Sequence, residues 1–141
     1  MILSDVSIHT YLREGELAVE PLHPDSVREN GVDLRWSGQI KDLGGGHMLG
    51  LTEEYIRLPN FMAGFCCLRS SFARRGILAA YTAVDAGFEG KLVIELFSGL
   101  PGVIEGIQPG ERFLHLVLAV LTSPVRNPYR GRYQGQKEIQ L

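Results

Sequence analysis

The sequence has few cysteines, no long apolar run and no surplus of basic residues. Its two cysteines, Cys66 and Cys67, are adjacent. Because neighbours in a strand point to opposite faces, they are poorly placed for a mutual disulfide or a shared metal. No stretch reaches the roughly 20 apolar residues that a membrane-spanning helix needs. Lys and Arg number 14 against 16 acidic residues, which argues against nucleic acid as the main partner.

The beginning of the chain also lacks the pattern of a signal peptide. Residues 1–16 carry acidic side chains where a signal peptide has basic ones. Together with the missing apolar run, this predicts a cytoplasmic protein with no membrane partner. The chain has 141 residues, 45% of them hydrophobic, and is expected to form one domain, 1–141, around a core of its own.

Glycine, by contrast, is abundant and divides the chain into short segments. There are 17 glycines in 141 residues, above the usual proportion of about 7%. Apolar segments of four to nine residues lie between them, with Gly or Pro in most connections, which predicts an all-β sandwich or barrel. The predicted strands cover residues 17–20, 32–36, 55–58, 62–68, 77–84, 91–97, 103–107 and 113–121.

The two ends of the chain depart from the strand pattern. Residues 5–13 are predicted to form a helix with Ile8, Tyr11 and Leu12 on one face, a start capped by Asp5 and a stop at Gly15. The segment from about 124 to 141 is polar and aromatic, with little core pattern. We expect it to be either disordered or ordered by a ligand or a neighbouring subunit, and its Tyr, Arg and Gln content favours the second.

The segment LRSSFARRG, residues 68–76, is the strongest candidate for binding a ligand. Two hydroxyls beside Arg69, directly after a predicted strand, combine backbone N–H groups, O–H donors and a guanidinium. That combination suits a phosphate chain. The alternative is a helix cap followed by solvated arginines.

Glu95, in the predicted strand 91–97, is the second candidate. Period-2 alternation places it between Val93 and Phe97 on one face of the strand. A carboxylate there would be partly desolvated, which favours its protonated form and suits a group that transfers protons. The pattern leaves open the alternative of an exposed acid on a solvent-facing sheet surface.

The other polar residues have plainer interpretations. Asp85 precedes a Gly-containing turn and is most simply a turn residue. The four histidines are scattered, with none paired at metal-ligand spacing, and His115 lies in an apolar run typical of a core histidine. The zinc nucleobase-deaminase signature and the Walker P-loop are both absent. Any nucleotide chemistry is therefore expected to proceed without a protein-bound metal centre.

Six segments of the chain form a pattern in a fixed order. They are MILSD at the start of the chain, ENGVDLR (29–35), LRSSFARRG (68–76), VDAGFEGKLVIEL (84–96), PGERFLHL (109–116) and NPYRGRYQGQ (127–136). Each alone is a weak signal, but six in order are strong, and together they resemble the dCTP deaminase and dUTPase superfamily, most closely its archaeal dCTP deaminases. The resemblance implies a distorted β-barrel or jelly-roll that forms a homotrimer, with active sites between subunits and the C-terminal tail closing over the ligand.

The same resemblance implies roles for particular residues. Glu95 occupies the position of the glutamate that activates water for attack at C4 of cytosine in deaminases, whereas the dUTPases have an apolar residue there. Arg74 and Ser70 would lie near the base and the catalytic water. The implied substrate-binding residues are Arg69, Ser71, Tyr129 and Arg132 at the triphosphate, Asp85 at the 3′-hydroxyl, Phe88 at the sugar, Val93 at the pyrimidine edge and Gln136 in the closing tail.

The resemblance thus favours a zinc-free dCTP deaminase that makes dUTP and ammonia, with magnesium entering on the nucleotide and held by phosphate oxygens and water. A dUTP pyrophosphatase, alone or as half of a bifunctional enzyme, is the first alternative, because dUTPases use the residue at Asp85 to position or activate water at the α-phosphate. A trimeric nucleotide-binding regulator without turnover is the second. Whether dTTP inhibits stays open.

Overall fold

Short strands dominate the chain, as the spacing of glycine and proline predicts. The structure is a computed structural model that describes residues 1–141. Its elements in chain order are α1 (Asp5–Arg13), β1 (Ala18–Glu20), β2 (Val27–Arg28), β3 (Gly31–Gly44), β4 (His47–Arg57), β5 (Met62–Leu68), α2 (Ser70–Ala73), β6 (Leu78–Ala79), β7 (Thr82–Val84), β8 (Glu89–Phe97) and β9 (Arg112–Val120).

The nine strands form one curled antiparallel sheet, a half-barrel. Its main path runs β6-β8-β4-β3-β9-β5-β7, while β1 pairs with β4 and β2 with β3. β3 joins the two halves of the sheet, because residues 32–35 pair with β9 and residues 36–44 pair with β4. The predicted all-β architecture with a short N-terminal helix is confirmed.

The core lies inside the curl and follows the alternation of the strands. In β8 the side chains of Leu92, Ile94 and Leu96 are buried, and the residues between them are more exposed. Trp36 and Phe113, each at most 1% exposed, meet edge to face with ring centroids 5.0 Å apart. Such aromatic pairs add about 0.5–1.5 kcal/mol to the free energy of unfolding beyond the area they bury.

The β3–β4 hairpin is longer than the sequence predicts. β3 continues to Gly44 through a segment predicted as a loop, and β4 begins at His47. Gly44, Gly45 and Gly46 all have positive φ angles and make the tight turn. The far part of the hairpin is mostly exposed, so it carries no apolar alternation from which a strand could be predicted.

The strand predicted at 103–107 is wrong, and a helical turn stands there. The N–H groups of Gly106 and Ile107 donate to the carbonyls of Gly102 (3.0 Å) and Ile104 (3.1 Å). Ile104 and Ile107 are both buried. Residues three apart lie on the same side of a helical turn, so this spacing indicated a turn rather than a strand. The predicted strand 77–84 is divided into β6 and β7.

The N-terminal helix is confirmed over its predicted range, with a different cap. The Ser4 hydroxyl, not Asp5, accepts the N–H of Ser7 at 3.5 Å, which satisfies a free donor of the first turn. Asp5 lies in that first turn, where its charge favours the helix dipole. Neither helix of the structure is long and apolar enough to cross a membrane.

The two cysteines face opposite sides of β5, as predicted. Cys66 is buried and Cys67 is exposed, and both are free thiols. Burial raises the pKa of the Cys66 thiol to about 12, so Cys66 behaves as a small core residue rather than as a nucleophile.

Gly50 offers a test of the packing between β3 and β4. A Cβ at this position would lie 2.2 Å from Cζ3 of the buried Trp36. We therefore expect Gly50→Ala to lower the free energy of unfolding by about 1–3 kcal/mol, measured by urea denaturation. Gly99→Ala is the matched control, because nothing lies within 4 Å of its added Cβ. Equal stability of the two variants would contradict this packing.

Candidate active site

A cavity of about 490 Å³ opens beside β8 and beneath the C-terminal segment. Ten of its fifteen lining residues are hydrophobic, a size and balance typical of small-molecule sites. The fold brings together here residues from three separate segments of the sequence. Six residues predicted to act on or bind the substrate line the cavity: Asp85, Phe88, Val93, Glu95, Tyr129 and Gln136.

Strand β8 carries Glu95 and Val93 on the face opposite its fully buried side chains. Glu95 borders the cavity, but it is exposed in the single chain. The expected desolvation is therefore not provided by its own strand, because the neighbours Val93 and Phe97 are themselves only half-buried. The sequence left two interpretations of Glu95, a partly desolvated carboxylate and an exposed acid. The single chain agrees with the exposed acid. A bound ligand or a second subunit would have to exclude water from this carboxylate.

The turn between β7 and β8 holds Asp85 and Phe88. The N–H of Phe88 donates to the carbonyl of Asp85 at 3.0 Å, and Gly87 has a φ of +86° that the turn requires. Phe88 is buried and packs edge to face on Tyr129, with ring centroids 5.4 Å apart. Asp85 is exposed at the cavity, so its carboxylate can reach a ligand as well as start the turn.

The C-terminal segment packs on its own chain, across the cavity. Tyr129 N–H donates to Ala86 at 2.9 Å, and Lys91 N–H donates to Gln136 at 2.7 Å. Gln136 is only 4% exposed, and its amide donates to the carbonyl of Lys91 at 2.8 Å. Contacts within the chain hold the segment against β8, and such main-chain pairing leaves no apolar pattern in the sequence. That a ligand or a neighbouring subunit orders the segment stays a prediction.

Arg69 and Ser71 line a different cavity, of about 420 Å³. Ser70 and Arg74 are exposed on α2 and directly after it, and they line neither cavity. A single chain therefore does not bring the predicted catalytic residues Ser70, Arg74 and Glu95 into one cavity. The second cavity is suited to an oxyanion because guanidinium groups bind phosphate strongly. Its four arginines are Arg35, Arg69, Arg75 and Arg112.

A buried carboxylate that the sequence analysis left without a role contacts two of these arginines. Asp33 of β3 is 3% exposed. Its oxygens lie 2.9 Å from His115 Nδ1, 3.4 Å from Arg112 Nη1 and 3.7 Å from Arg69 Nε. His115, predicted as a core histidine, is thus partly exposed and bonded to Asp33. Asp33 sets the position of Arg69 at the edge of the second cavity.

Glu54 is a second acid that the sequence analysis missed. It is fully buried, and its Oε1 accepts the N–H of Arg35 at 2.8 Å, while its Oε2 has no hydrogen-bond partner. Burial raises the pKa of Glu54 to about 7. The available signal was a pair of glutamates, Glu53 and Glu54, between the apolar run 48–51 and Ile56 of the same strand.

The tail residue Arg132 also lies outside both cavities. Its guanidinium hydrogen-bonds to the C-terminal residue Leu141 and lies 5.9 Å from the centre of the Tyr133 ring. Tyr133 and Leu141 themselves line the first cavity, so Arg132 is held next to it. The bond to Leu141 engages one nitrogen of the guanidinium, so its other N–H donors can contact a phosphate.

Comparison with known proteins identifies the family. A family model described as dCTP deaminase-like matches residues 44–121, more than half of the chain. A dCTP deaminase of Aeropyrum pernix is 47% identical over 100% of this chain and 95% of its own length. The chain belongs to the dCTP deaminase-like family. The resemblance predicted from six segments is thereby confirmed.

Relatives of this dCTP deaminase-like chain carry two different names. A dCTP deaminase of Metallosphaera sedula is 42% identical over 100% of this chain and 97% of its own length. A protein of Sulfolobus islandicus rod-shaped virus 1 is named a probable deoxyuridine 5′-triphosphate nucleotidohydrolase. It is 46% identical over 100% of this chain and 98% of its own length. Both names occur among whole-chain relatives, so the family alone does not decide between the two activities.

Solved structures with the same fold also include both activities. The 2′-deoxycytidine 5′-triphosphate deaminase of Agrobacterium tumefaciens has a TM-score of 0.65 at 17% identity and covers 84% of this dCTP deaminase-like chain, which spans 47% of that protein. A dUTPase of phage phi11 of S. aureus has a TM-score of 0.58 at 18% identity, over 82% and 97% of the two chains. At 17–18% sequence identity, the similarity to these structures shows a shared fold and not a shared activity.

The docking of the C-terminal segment can be tested through Gln136. Replacing it with Ala removes the buried hydrogen bond to Lys91, which costs about 1–3 kcal/mol. Since trypsin cuts a segment that opens, we expect Gln136→Ala to speed cleavage after Lys137 roughly tenfold, measured by mass spectrometry. Glu105→Ala, which changes an exposed acid elsewhere in the chain, is the control and should cleave like the wild type. Unchanged cleavage of Gln136→Ala would mean that this contact does not hold the segment.

Proposed function

We propose that this protein is a dCTP deaminase, a hydrolase that converts dCTP and water into dUTP and ammonia without a zinc centre. The observation that carries the proposal is the place of Glu95 in a largely apolar cavity together with Asp85, Phe88 and Val93. An acid in this position serves proton transfer to a base, and pyrophosphate release from dUTP has no use for it. Whole-chain relatives named dCTP deaminase, at 38–47% identity, support the same activity.

The open edge of β8 supports a role in holding the pyrimidine. Along this edge β6 pairs with Leu96 and Phe97, the N–H of Ala80 donates to the carbonyl of Glu95 at 2.9 Å, and Gln136 pairs with Gly90 and Lys91. The stretch around Val93 lies between these two coverings, so its main-chain groups are available to the edge of a base. Hydrogen bonds of this kind would hold cytosine with its C4 toward Glu95, two residues further along the same face.

The turn before β8 is suited to the sugar. Asp85 would accept a hydrogen bond from the 3′-hydroxyl of the deoxyribose, because its carboxylate is exposed at the cavity. Phe88 would pack on the sugar and disfavour a 2′-hydroxyl. Its contact with Tyr129 and its burial fix the ring in place, which such steric selection needs.

Glu95 would carry the proton transfers of the reaction. It takes a proton from water as the water oxygen adds to C4 of cytosine and delivers this proton to N3. It then transfers the proton of the new C4 hydroxyl to the amino group, which leaves as ammonia. The C4–N bond breaks, and the oxygen that entered becomes the carbonyl oxygen of uracil. Ser70 and Arg74 would orient the water and stabilise the developing charge.

The distribution of charge supports active sites shared between subunits of a homotrimer. No Lys or Arg lines the cavity of Glu95, whereas four arginines line the second cavity. A nucleoside triphosphate needs both an apolar pocket for the base and cations for the phosphates. We therefore infer that a neighbouring subunit supplies Ser70, Arg74, Arg69 and Ser71 to each site.

The tail would complete the phosphate contacts, and magnesium would arrive with the substrate. Tyr129 and Arg132 are the proposed tail contacts of the triphosphate, and Gln136 holds the tail over the site. Magnesium would be bound by phosphate oxygens and water. In the cytoplasm, dUTP made this way would supply the synthesis of dUMP and dTTP.

Glu95→Gln tests the proposed acid–base role. The change preserves size but cannot accept a proton from water, so we expect ammonia release from dCTP to fall about 10²–10⁴-fold or more. Binding of dCTP, measured by calorimetry, should stay within a few-fold of the wild type. Glu105→Gln, an exposed acid outside both cavities, is the control. Full activity of Glu95→Gln would refute the mechanism.

Mixing two inactive variants tests whether each site spans two subunits. Glu95→Gln and Arg69→Ala would each be inactive alone, since every site lacks one component. When the two chains are refolded together, random assembly leaves roughly a quarter of the sites with both components intact. We expect ammonia release from dCTP to return to that fraction of the wild-type rate. No recovery in mixed trimers confirmed by mass spectrometry would place both residues in one subunit's site.

A second candidate function is dUTP pyrophosphatase, and Asp85 is the observation in its favour. This carboxylate borders the same cavity, where it could position water at an α-phosphate. The viral relative named a nucleotidohydrolase points the same way. An assay that supplies dCTP and dUTP separately distinguishes the two activities. Ammonia released from dCTP indicates the deaminase, and pyrophosphate released from dUTP indicates the pyrophosphatase. Release of both products indicates a bifunctional enzyme. Binding of both nucleotides with neither product would indicate a regulator.

A further inference from the structure

A cluster of potential metal ligands lies outside both cavities. It consists of His23, Glu53 and Glu54, and each of the three offers one ligand atom within 4.8 Å of the other two. None of these residues lines the cavity of Glu95 or the cavity of the arginines. The proposed deaminase chemistry does not use them.

An irregularity in β4 brings the two glutamates to one place. Consecutive residues of a regular strand point to opposite faces, but the pairing of β4 with β8 shifts register between Leu51 and Tyr55. The Thr52 hydroxyl stabilises this bulge, since it donates to the carbonyl of Glu54 at 3.0 Å and accepts the N–H of Leu92 at 2.9 Å. Bulges of this kind redirect side chains.

Every member of the cluster has a buried polar atom without a hydrogen-bond partner. These atoms are Nε2 of His23, Oε2 of Glu53 and Oε2 of Glu54, three of the six such side-chain atoms in the chain. The distance from His23 Nε2 to Glu53 Oε2 is 3.5 Å, too long for a good hydrogen bond. Since buried polar atoms are nearly always satisfied by protein, water or an ion, these three atoms form a polar cluster that a bound cation can satisfy.

No lysine or arginine side chain forms a salt bridge with either carboxylate, and the ion-pair partner of Glu53 is His23, at 3.5 Å. Arg35 donates to Glu54 through its backbone N–H, but its guanidinium is bound elsewhere. That group contacts Asp25 at 2.5 Å and the carbonyl of Gly110 at 2.7 Å. Glu54 is fully buried, where an ionised carboxylate is costly unless a cation or a set of donors pairs with it.

We propose that His23, Glu53 and Glu54 bind a divalent transition-metal cation, with Zn²⁺ as the representative of its class. An imidazole nitrogen with two carboxylate oxygens suits Zn²⁺, whereas Mg²⁺ and Ca²⁺ prefer oxygen ligands alone. Two carboxylates balance the charge of the ion. The side chains of His23 and Glu53 are 33% and 36% exposed, so water can supply a further ligand.

The bound cation would stabilise the fold. It would connect the segment between β1 and β2, which contains His23, to the bulge of β4. The spacing of histidines along the sequence could not predict this site, because the ligands are brought together from distant segments by the sheet. The proposal departs from the expectation of no protein-bound metal centre, which rested on the absence of local metal-ligand motifs.

Calorimetric titration of chelator-treated protein with Zn²⁺ tests the proposal. We expect a single tight site per chain and a higher melting temperature in the presence of Zn²⁺. His23→Gln and Glu53→Gln should each weaken binding about tenfold or more and abolish the thermal shift. Both side chains are partly exposed, so these variants should still fold, which circular dichroism verifies.

Matched controls separate this site from adventitious binding by other histidines and acids. His47→Gln and Glu105→Gln change exposed residues elsewhere in the chain and should bind Zn²⁺ like the wild type. The proposal is overturned if wild type shows no stoichiometric site, or if His23→Gln and Glu53→Gln bind Zn²⁺ unchanged. Tighter binding of Mg²⁺ than of Zn²⁺ would overturn the assigned class of metal.

Discussion

The antiparallel pairing of β8 with β4 determines which side chains face the core and which face the cavity. This pairing runs from Arg57 opposite Glu89 to His47 opposite Phe97, and the alternation along β8 follows from it. Leu92, Ile94 and Leu96 are anchored in the core, so Val93 and Glu95 must point the other way. A shift by one residue would exchange the two sets, and the buried leucines make such a shift costly.

The edge of β8 that faces away from β4 is only partly paired, and this explains why a ligand and the C-terminal segment can both contact it. β6 covers only the end of this edge, and the C-terminal segment covers its beginning through Gln136. A strand that is unpaired over part of its length offers main-chain donors and acceptors. In this chain the tail uses some of them, and the remainder face the cavity. The same feature therefore orders a polar segment and provides a candidate site for a base.

Charge is separated between the two cavities, and this separation makes assembly part of the proposed function. The first cavity has acids and apolar walls, while the second has four arginines, of which Arg69 and Arg112 contact the buried Asp33. Neither cavity alone suits a nucleoside triphosphate. Since oligomers repeat the same surfaces, the second cavity of one subunit can complement the first cavity of another.

How far the sequence could predict the fold depended on whether an element is half-buried. Strand β5 appears with its predicted bounds because apolar residues and turn residues delimit it clearly. The far end of the β3–β4 hairpin was missed because its residues are exposed, and 103–107 was assigned to a strand although Ile104 and Ile107 have helical spacing. Only contacts with distant segments distinguish such cases.

The sequence by itself determined the all-β class, the N-terminal helix, the family and six residues that share a cavity, because local alternation and ordered motifs are properties of the chain. The tertiary structure decided what depends on distant partners. It showed Glu95 exposed in a single chain, Ser70 and Arg74 outside its cavity, and the tail paired with β8. It also buried Asp33 and Glu54, since burial and proximity are set by how strands pair rather than by their order.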